Sequence, residues 1–384
     1  MSKVIIIFIG IILSLSAKSQ NWEALQGGIP YVTGTRVLYA DTVDNYLYTG
    51  GNFYFQTNGK YFSQIARWDG LQWDTMGTGI IGAGNVLSME RYNGELYVAG
   101  AFDSADSIAA KNIAKWNGNN WDSLPIQPFK TQGVGSILGM KVINNELYVS
   151  GWIDTIAGMP ITGIAKWNGS NWSGINFPNL QSFAGIGAIA EYNGEIYAAG
   201  NFNSAAYPND TIGEIARYDG INWRSVGGGI HGSMAGVASM VVYNGELYVA
   251  GYFFTSSGNA GNHIQKWNGT TWSDVGGGTN LNNGQITQLL VHNSKLYAMG
   301  VMDSAGGVPA SKIAVWDGSQ WCGLGNSFDN TIMSGCIYKD TLYIGGGFRT
   351  IDGDSVNHIA KWIGGSYVDT CGVVGVDEPV ENNL

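Results

Sequence analysis

Positive charge is scarce in this chain of 384 residues, where 19 Lys and Arg face 29 Asp and Glu for a net charge of -10. A surface that tracks phosphates needs clustered basic side chains, so nucleic acid is excluded as the expected partner. Charged residues make up only 12% of the chain while 45% are hydrophobic, which excludes a disordered polymer. With 4 His and 3 Cys, the supply of metal-binding and thiol chemistry is thin. After Leu15 no apolar run is long enough to cross a bilayer, so no membrane span is expected in the mature chain. What the chain does have is 58 Gly, 14 Trp and 20 Tyr. That mixture suits many short strands joined by tight turns rather than helices.

The ends stand apart from the rest. Lys3 precedes an apolar run from Val4 to Leu15, and Ser16-Ala17-Lys18-Ser19-Gln20 then offers small residues. This predicts a signal peptide over 1–19 with cleavage after Ser19, and hence an exported chain. Residues 373–384 lose the internal pattern and read as an acidic tail, with Asp377-Glu378-Pro379 at its centre.

Between the ends one unit recurs. Leu/Ile-Tyr appears at Tyr48, Tyr97, Tyr148, Tyr197, Tyr248, Tyr297 and Tyr343. About twenty residues on stand Trp68, Trp116, Trp167, Tyr218, Trp267, Trp316 and Trp362, and each is followed by a second ring, from Trp73 through to Tyr367. Each unit reads as four strands. Turn signals such as Asn93-Gly94 join the first to the second, and others such as Asn117-Gly118 join the third to the fourth. Seven such units predict an all-β fold, a seven-bladed propeller of four-stranded antiparallel blades over 20–372. Trp22-Glu23-Ala24-Leu25 matches Trp223-Arg224-Ser225-Val226 and reads as a spare fourth strand able to close the ring. The Tyr367 segment is a rival for the same place, and the sequence leaves both open.

The unit, with Gly after its second strand and spaced Tyr and Trp anchors, resembles kelch and galactose-oxidase-like propellers. It is closer still to a repeat of secreted bacterial proteins, Leu-Tyr-x-x-Gly-x-Phe … Ile-Ala-x-Trp-(Asn/Asp)-Gly-x-x-Trp-x-x-Leu-Gly, and is similar to fungal cortical polarity-marker ectodomains. The signal peptide with the acidic tail resembles type IX secretion cargo, although the sorting domain of that family does not follow the tail. The resemblance implies a secreted or cell-surface location, or a periplasmic one if the sorting domain is absent.

No catalytic constellation stands out. His263 and His358 share one repeat position, which other units fill with Gln64, Asn112, Gly163, Glu214 and Lys312. So tolerant a position reads as a solvated loop end, and neither a metal nor a cofactor is expected. Trp68-Asp69-Gly70-Leu71-Gln72-Trp73 lies where sialidase propellers carry their box, but without the Arg cluster such an enzyme needs. The bases before the third-strand ring, Arg67 and Arg217 with Lys115, Lys166, Lys266 and Lys361, read as stems laid along aromatic walls. Of the cysteines, Cys322 and Cys371 on fourth-strand segments are the favoured disulfide pair, leaving Cys336 free.

Asp-(Ser/Thr)-apolar triplets recur, placing candidate acceptors at Thr42, Thr75, Ser104, Ser107, Ser123, Thr155, Thr211, Ser304, Thr341 and Ser355. The triplet matches the O-glycosylation signal of the bacterial group that uses type IX secretion; the alternative is that Asp-Ser favours turns and the repeat multiplies it. The second-to-third and fourth-to-first connections are long and variable, and they emerge on one face, where recognition usually lives. Aromatics there include Tyr54, Phe55, Tyr61, Tyr207, Phe254 and Phe328. Tyr54, Tyr61 and Tyr207 are the expected exposed contacts, while others pin their own loops. The expected function is a monomeric, secreted, non-catalytic module binding a protein or glycan. The alternative is a carbohydrate-active propeller enzyme of galactose-oxidase, sialidase or lyase type.

Overall fold

The computed structural model describes residues 21–364 apart from 31, 83, 126–134, 157, 176–184, 204–211, 233–234 and 281–283. The short strands written into the sequence assemble into seven four-stranded antiparallel sheets among the described residues. Blade one joins Val32–Ala40, Leu47–Thr57, Lys60–Trp68 and Trp73–Asp74. Blade two starts at Val86–Tyr92, blade three at Ser136–Ile143, blade four at Gly185–Tyr192, blade five at Gly236–Tyr243, blade six at Gln285–His292 and blade seven at Ile332–Tyr338. These first strands are innermost, and each packs against the first strands of both neighbours, blade seven against blade one included. The chain is an all-β propeller. The only helical element among the described residues is the three-residue 3-10 turn Thr255–Ser257.

There is no single central core. Seven hydrophobic clusters instead lie one between each pair of adjacent blades, including blades seven and one, where Leu25, Phe53 and Trp68 meet Tyr338 and Ile359. The third-strand Ile of every unit, from Ile65 to Ile359, is at most 1% exposed. Directional bonds add to this burial. Trp121 Nε1 donates to Met76 O at 2.7 Å and Trp321 Nε1 to Val275 O at 2.8 Å, tying these fourth strands to the blade before them. The Tyr ending a first strand reaches forward to the next blade's turn, as Tyr243 Oη does to Ser294 O at 2.9 Å and Tyr338 Oη to Asn45 O at 2.8 Å. Such a buried bond contributes about 1 kcal/mol, and losing one partner costs more.

Of the two rival closing strands, the N-terminal one is seen in place. Trp22–Ala24 pairs with Ile359–Trp362 in the register Trp22 to Trp362, completing blade seven. Ile29 N donates to Asn357 O at 2.7 Å and Asn357 Nδ2 to Gly27 O at 2.7 Å. The Tyr367 segment lies outside the described residues.

Two sequence readings change. The bases of the third strand form cross-strand ion pairs rather than only lying on rings: Lys166 to Glu146 and Lys266 to Glu246 at 2.7 Å, Arg217 to Glu195 at 2.8 Å. The Tyr of Glu-Leu-Tyr faces the base across the pair and the Glu lies diagonally, two residues before it on the same face, so the pairing is set by strand register. Arg67 alone stacks closely, 4.6 Å over Tyr46. The second change concerns the tolerant position of His263 and His358, which is no solvated loop end. Gln64, Asn112, Glu214, His263 and His358 are all at most 3% exposed. All seven residues at this position have φ between 54° and 72°, the left-handed region. In five units the main chain here closes a bulge, as where Gly251 N donates to His263 O at 2.9 Å and His263 N to Phe253 O at 2.8 Å. The backbone role is fixed and the side chain varies, which hid it from a reading based on residue type.

Candidate functional site

The repeat explains how one end of the axis is shaped. In Leu-Tyr-x-x-Gly-x-Phe the Gly meets the innermost strand so closely that a Cβ would fall 1.9 Å from Gly185 O at Gly200, 2.0 Å from Gly236 O at Gly251 and 2.2 Å from Ser136 O at Gly151. The Phe or its equivalent turns inward, and Phe102, Ile153, Phe202, Phe253, Met302 and Phe348 are buried. The residue between them is left at the rim on the long-connection face, where the blades carry Asn52, Ala101, Trp152, Asn201, Tyr252, Val301 and Gly347. Blade four carries Asn201 there, smaller than the Trp152 and Tyr252 of the two blades beside it. The result is a notch of about 480 Å³, walled by those two rings and lined further by Asn201 and Gln285.

Glycines make the floor. At Gly185 a Cβ would sit 2.2 Å from Trp152 Nε1, so only Gly lets that indole lie against the chain. Gly187 occupies the β-bulge of its strand, between Ile186 and Ala188, and has nothing within 4 Å of its Cβ position. Trp152 is 45% exposed, more than any other described Trp. Tyr252 is half-buried and held edge-on by Phe254 at 5.0 Å. No Asp, Glu, Lys, Arg or His is among the described lining residues. The arrangement can hold a ring and hydrogen-bond it, and the phenol of Tyr252 is the one ionisable group among the described lining residues.

The opposite end of the same inner strands differs. There a recess of about 400 Å³ is bordered by Lys141, Asn144, Glu191, Met240 and Val242. It lies on the face of the short turns.

The aromatics expected to bind fall elsewhere. Tyr54 and Tyr61 are exposed, at 43% and 59%, but they lie in strands and not in a loop. Blade one extends its second and third strands into a long hairpin turned by Asn58 and Gly59, both at positive φ. Phe55 stacks on Phe62 at 4.4 Å inside it, and Gln64 Nε2 donates to Tyr54 Oη at 3.0 Å. Neither Tyr lines the notch. Tyr207 lies outside the described residues. Phe328 is buried against Trp22 and Phe348 and pins its own segment.

Among the acceptor candidates, Thr42, Ser107 and Ser355 are exposed, and Thr75, Ser104, Ser123, Thr155, Ser304 and Thr341 are half-buried. Thr211 lies outside the described residues. Ser104, Thr155 and Ser304 share one place: each opens a two-residue strand of a small hairpin, clasped where Ala110 N donates to Asp103 O, Ile161 N to Asp154 O and Ala310 N to Asp303 O. Asp41, of the first triplet, is buried and pairs with Arg91. Cys322 is in a disulfide and Cys336 is a buried free thiol. The expected partner, Cys371, lies outside the described residues.

Titration is perturbed away from the notch. Burial pushes the Glu214 carboxyl up to about 8, against an ordinary value of 4.5, and the amide of Phe202 donates to it. Burial lowers both His263 and His358, leaving neutral rings. Among the described residues no group of three His, Cys, Asp or Glu is placed to hold a metal.

No family model matches the chain, and no curated protein does. Solved structures do. The extracellular domain of a protein assigned as a hybrid two-component system from B. thetaiotaomicron aligns with a TM-score of 0.55 at 12% identity, over 89% of this chain and 40% of that one. A second structure, assigned as the extracellular domain of a one-component system of the same organism, gives 0.55 at 12% identity over 90% and 40%. The chain therefore spans about two fifths of those neighbours' length. At this identity the likeness establishes the fold. The computationally designed protein Ika8 aligns with a TM-score of 0.46 at 10% identity.

Proposed function

We propose that this chain is an exported propeller that binds a ligand without transforming it, and that the notch over blade four is where it binds. One observation carries the reading: the notch has two aromatic walls and exposed amide tips, and its described lining holds no carboxylate, His, Lys, Arg or Cys, Tyr252 being the one ionisable group there. Hydrolysis by a carboxylate pair and oxidation at a His-ligated metal both need groups that this described lining does not contain. Sites of this kind commonly measure about 300–1,000 Å³ and are mostly apolar with a few placed polar groups. That the neighbours of known structure are named as extracellular domains supports the exported setting. In this reading residues 1–19 direct export, 373–384 form a tail, and the exposed Thr42, Ser107 and Ser355 are the acceptors best placed for O-linked sugar. The hairpin-tip rings Tyr54 and Tyr61 serve as an outlying contact on the same face.

Saturation-transfer NMR against a mixed library of peptides, small metabolites and oligosaccharides tests the site. Gly187→Leu fills the notch where a side chain meets open space, so its melting temperature should stay within about 2 °C of wild type. The expected result is that compounds bound by the wild type are lost by Gly187→Leu and come through unaltered. Bound compounds that survive Gly187→Leu, or any that are converted to product, overturn the proposal.

A further inference from the structure

The chemistry of the notch is narrow enough to name its ligand class. This step rests on the binding role proposed above for the same site. We infer that the notch takes a neutral saccharide ring, held between Trp152 and Tyr252 with its hydroxyls on Asn201 and Gln285.

Three observations lead there. The first is the pair of walls. Trp152 and Tyr252 come from blades three and five and flank the glycine-floored blade four, so both rings border the same recess of about 480 Å³. Sugar rings present C–H faces that pack on such π surfaces, and the rings are held in place. Gly185 seats the indole and Phe254 backs the phenol. Little side-chain entropy is then lost on binding.

The second is the kind of polar group present. Asn201 and Gln285 are exposed, and neither amide has a partner among the described residues. A carboxamide both donates and accepts. So does a sugar hydroxyl, which makes the two well matched. A wholly apolar ligand would cover these amides without satisfying them, which costs more than leaving them in water.

The third is the lack of countercharge. A carboxylate, sulfate or phosphate brought into this notch would give up its hydration and find no Lys, Arg or His among the described lining residues. Desolvating a charge without a partner is far costlier than desolvating a hydroxyl. Uronic acids, sulfated glycans and nucleotides are thereby disfavoured, and neutral hexoses, pentoses and N-acetylhexosamines are favoured.

The test uses isothermal titration of the whole protein with two sets of oligosaccharides. The neutral set is cello-, xylo-, manno-, malto- and N-acetylchito-oligomers. The charged set is oligogalacturonate and chondroitin sulfate oligomers. At least one neutral oligomer should bind, and the best neutral one should bind at least tenfold more tightly than any charged one. Trp152→Ala should weaken that binding at least tenfold, and Gly187→Leu should abolish it, with melting temperatures close to wild type. Asn201→Ala should weaken it less than Trp152→Ala, because the remaining amide and both rings persist. Three results overturn the inference: no neutral oligomer binds, a charged oligomer binds as well as the best neutral one, or binding is indifferent to Trp152→Ala and Gly187→Leu. If a peptide or other non-saccharide is instead lost on Gly187→Leu, the ligand class is wrong while the site itself stands.

Discussion

The two ends of the central axis are made by the same inner strands of blades three, four and five, yet they carry different chemistry. At the long-connection end these strands begin in Gly185, Gly187, Gly236 and Ala238, and the recess is uncharged and bordered by aromatics. At the short-turn end they finish in Lys141, Glu191 and Val242, and the recess is edged by opposite charges. The difference follows from how tightly each end is constrained. Near the long connections the signature Gly of each second strand touches the first strand, so large side chains can project only from the rim position. Near the short turns, Asn-Gly pairs and Tyr latches settle the backbone and leave the first-strand termini free to vary. Small residues are thus forced at one end and merely permitted at the other.

Substitutions along these strands should separate the two ends. The largest effect is expected at Gly200, where a methyl would meet Gly185 O at 1.9 Å. Backbone cannot yield as a side chain can, so Gly200→Ala should cost about 3 kcal/mol or more, while Gly187→Ala in the same blade should be nearly silent. Comparable melting temperatures for the two variants would break the comparison.

A pH-dependent effect comes next. Glu214 stays protonated in the folded chain until about pH 8, whereas its unfolded value is near 4.5. Folding therefore holds a proton that the unfolded chain releases, and the wild type loses stability as pH climbs from about 5 to 8. Glu214→Gln keeps an acceptor for the Phe202 amide and carries no such penalty. It should match wild type at pH 4 and be the more stable of the two at pH 9, with the gap opening between about pH 5 and 8. Parallel denaturation curves at the two pH values would show that the carboxyl is already ionised.

Smaller still is Tyr243→Phe at the short-turn end. It removes the hydroxyl bonded to Ser294 O and should cost about 1 kcal/mol in urea unfolding, with no change at the notch. The smallest effect is expected from Lys141→Gln, since Lys141 is exposed and has no ion pair among the described residues. A change within about 0.5 kcal/mol in stability, with unaltered saccharide titration, would sharpen the separation of the two ends. A measurable loss of binding would join them.

Much of the fold was legible because the repeat samples one packing problem several times over. The buried Ile of the third strand, the paired Trp rings and the Gly after the second strand recur since each answers the same inter-blade geometry. Three features were harder to read. The left-handed position of Gln64, Glu214 and His263 looked exposed because its side chain varies, although what is constant there is the main chain. Asn58-Gly59 is the same hairpin signal read at Asn93-Gly94, but its place within an expected long loop concealed it. The notch is not legible from the rings of the variable loops, because neither of its walls stands in one. Its walls sit at the one free position inside the otherwise rigid Gly-x-Phe, where Trp152 and Tyr252 flank Asn201. A variable site between a constant Gly and an always buried apolar residue was the signal available, and it marks where a scaffold can change its surface without changing its packing.

The pairing of Trp22–Ala24 with Ile359–Trp362 has a kinetic side. Closing so long a loop adds little to the equilibrium cost, because the entropy grows only with the logarithm of length. It matters more to the order of events. Blades one to six each complete themselves from consecutive residues, but the last blade must recruit a strand from the far end of the chain. Until position 22 finds position 362, the outer edge of the third strand in blade seven is bare, and so is the Trp22 side of the cluster that holds Phe328 and Phe348. Non-local pairings of this kind form late and slowly. The slowest folding phase should therefore report on the N-terminal strand, and the protein is most exposed to intermolecular strand addition in the interval before the ring shuts.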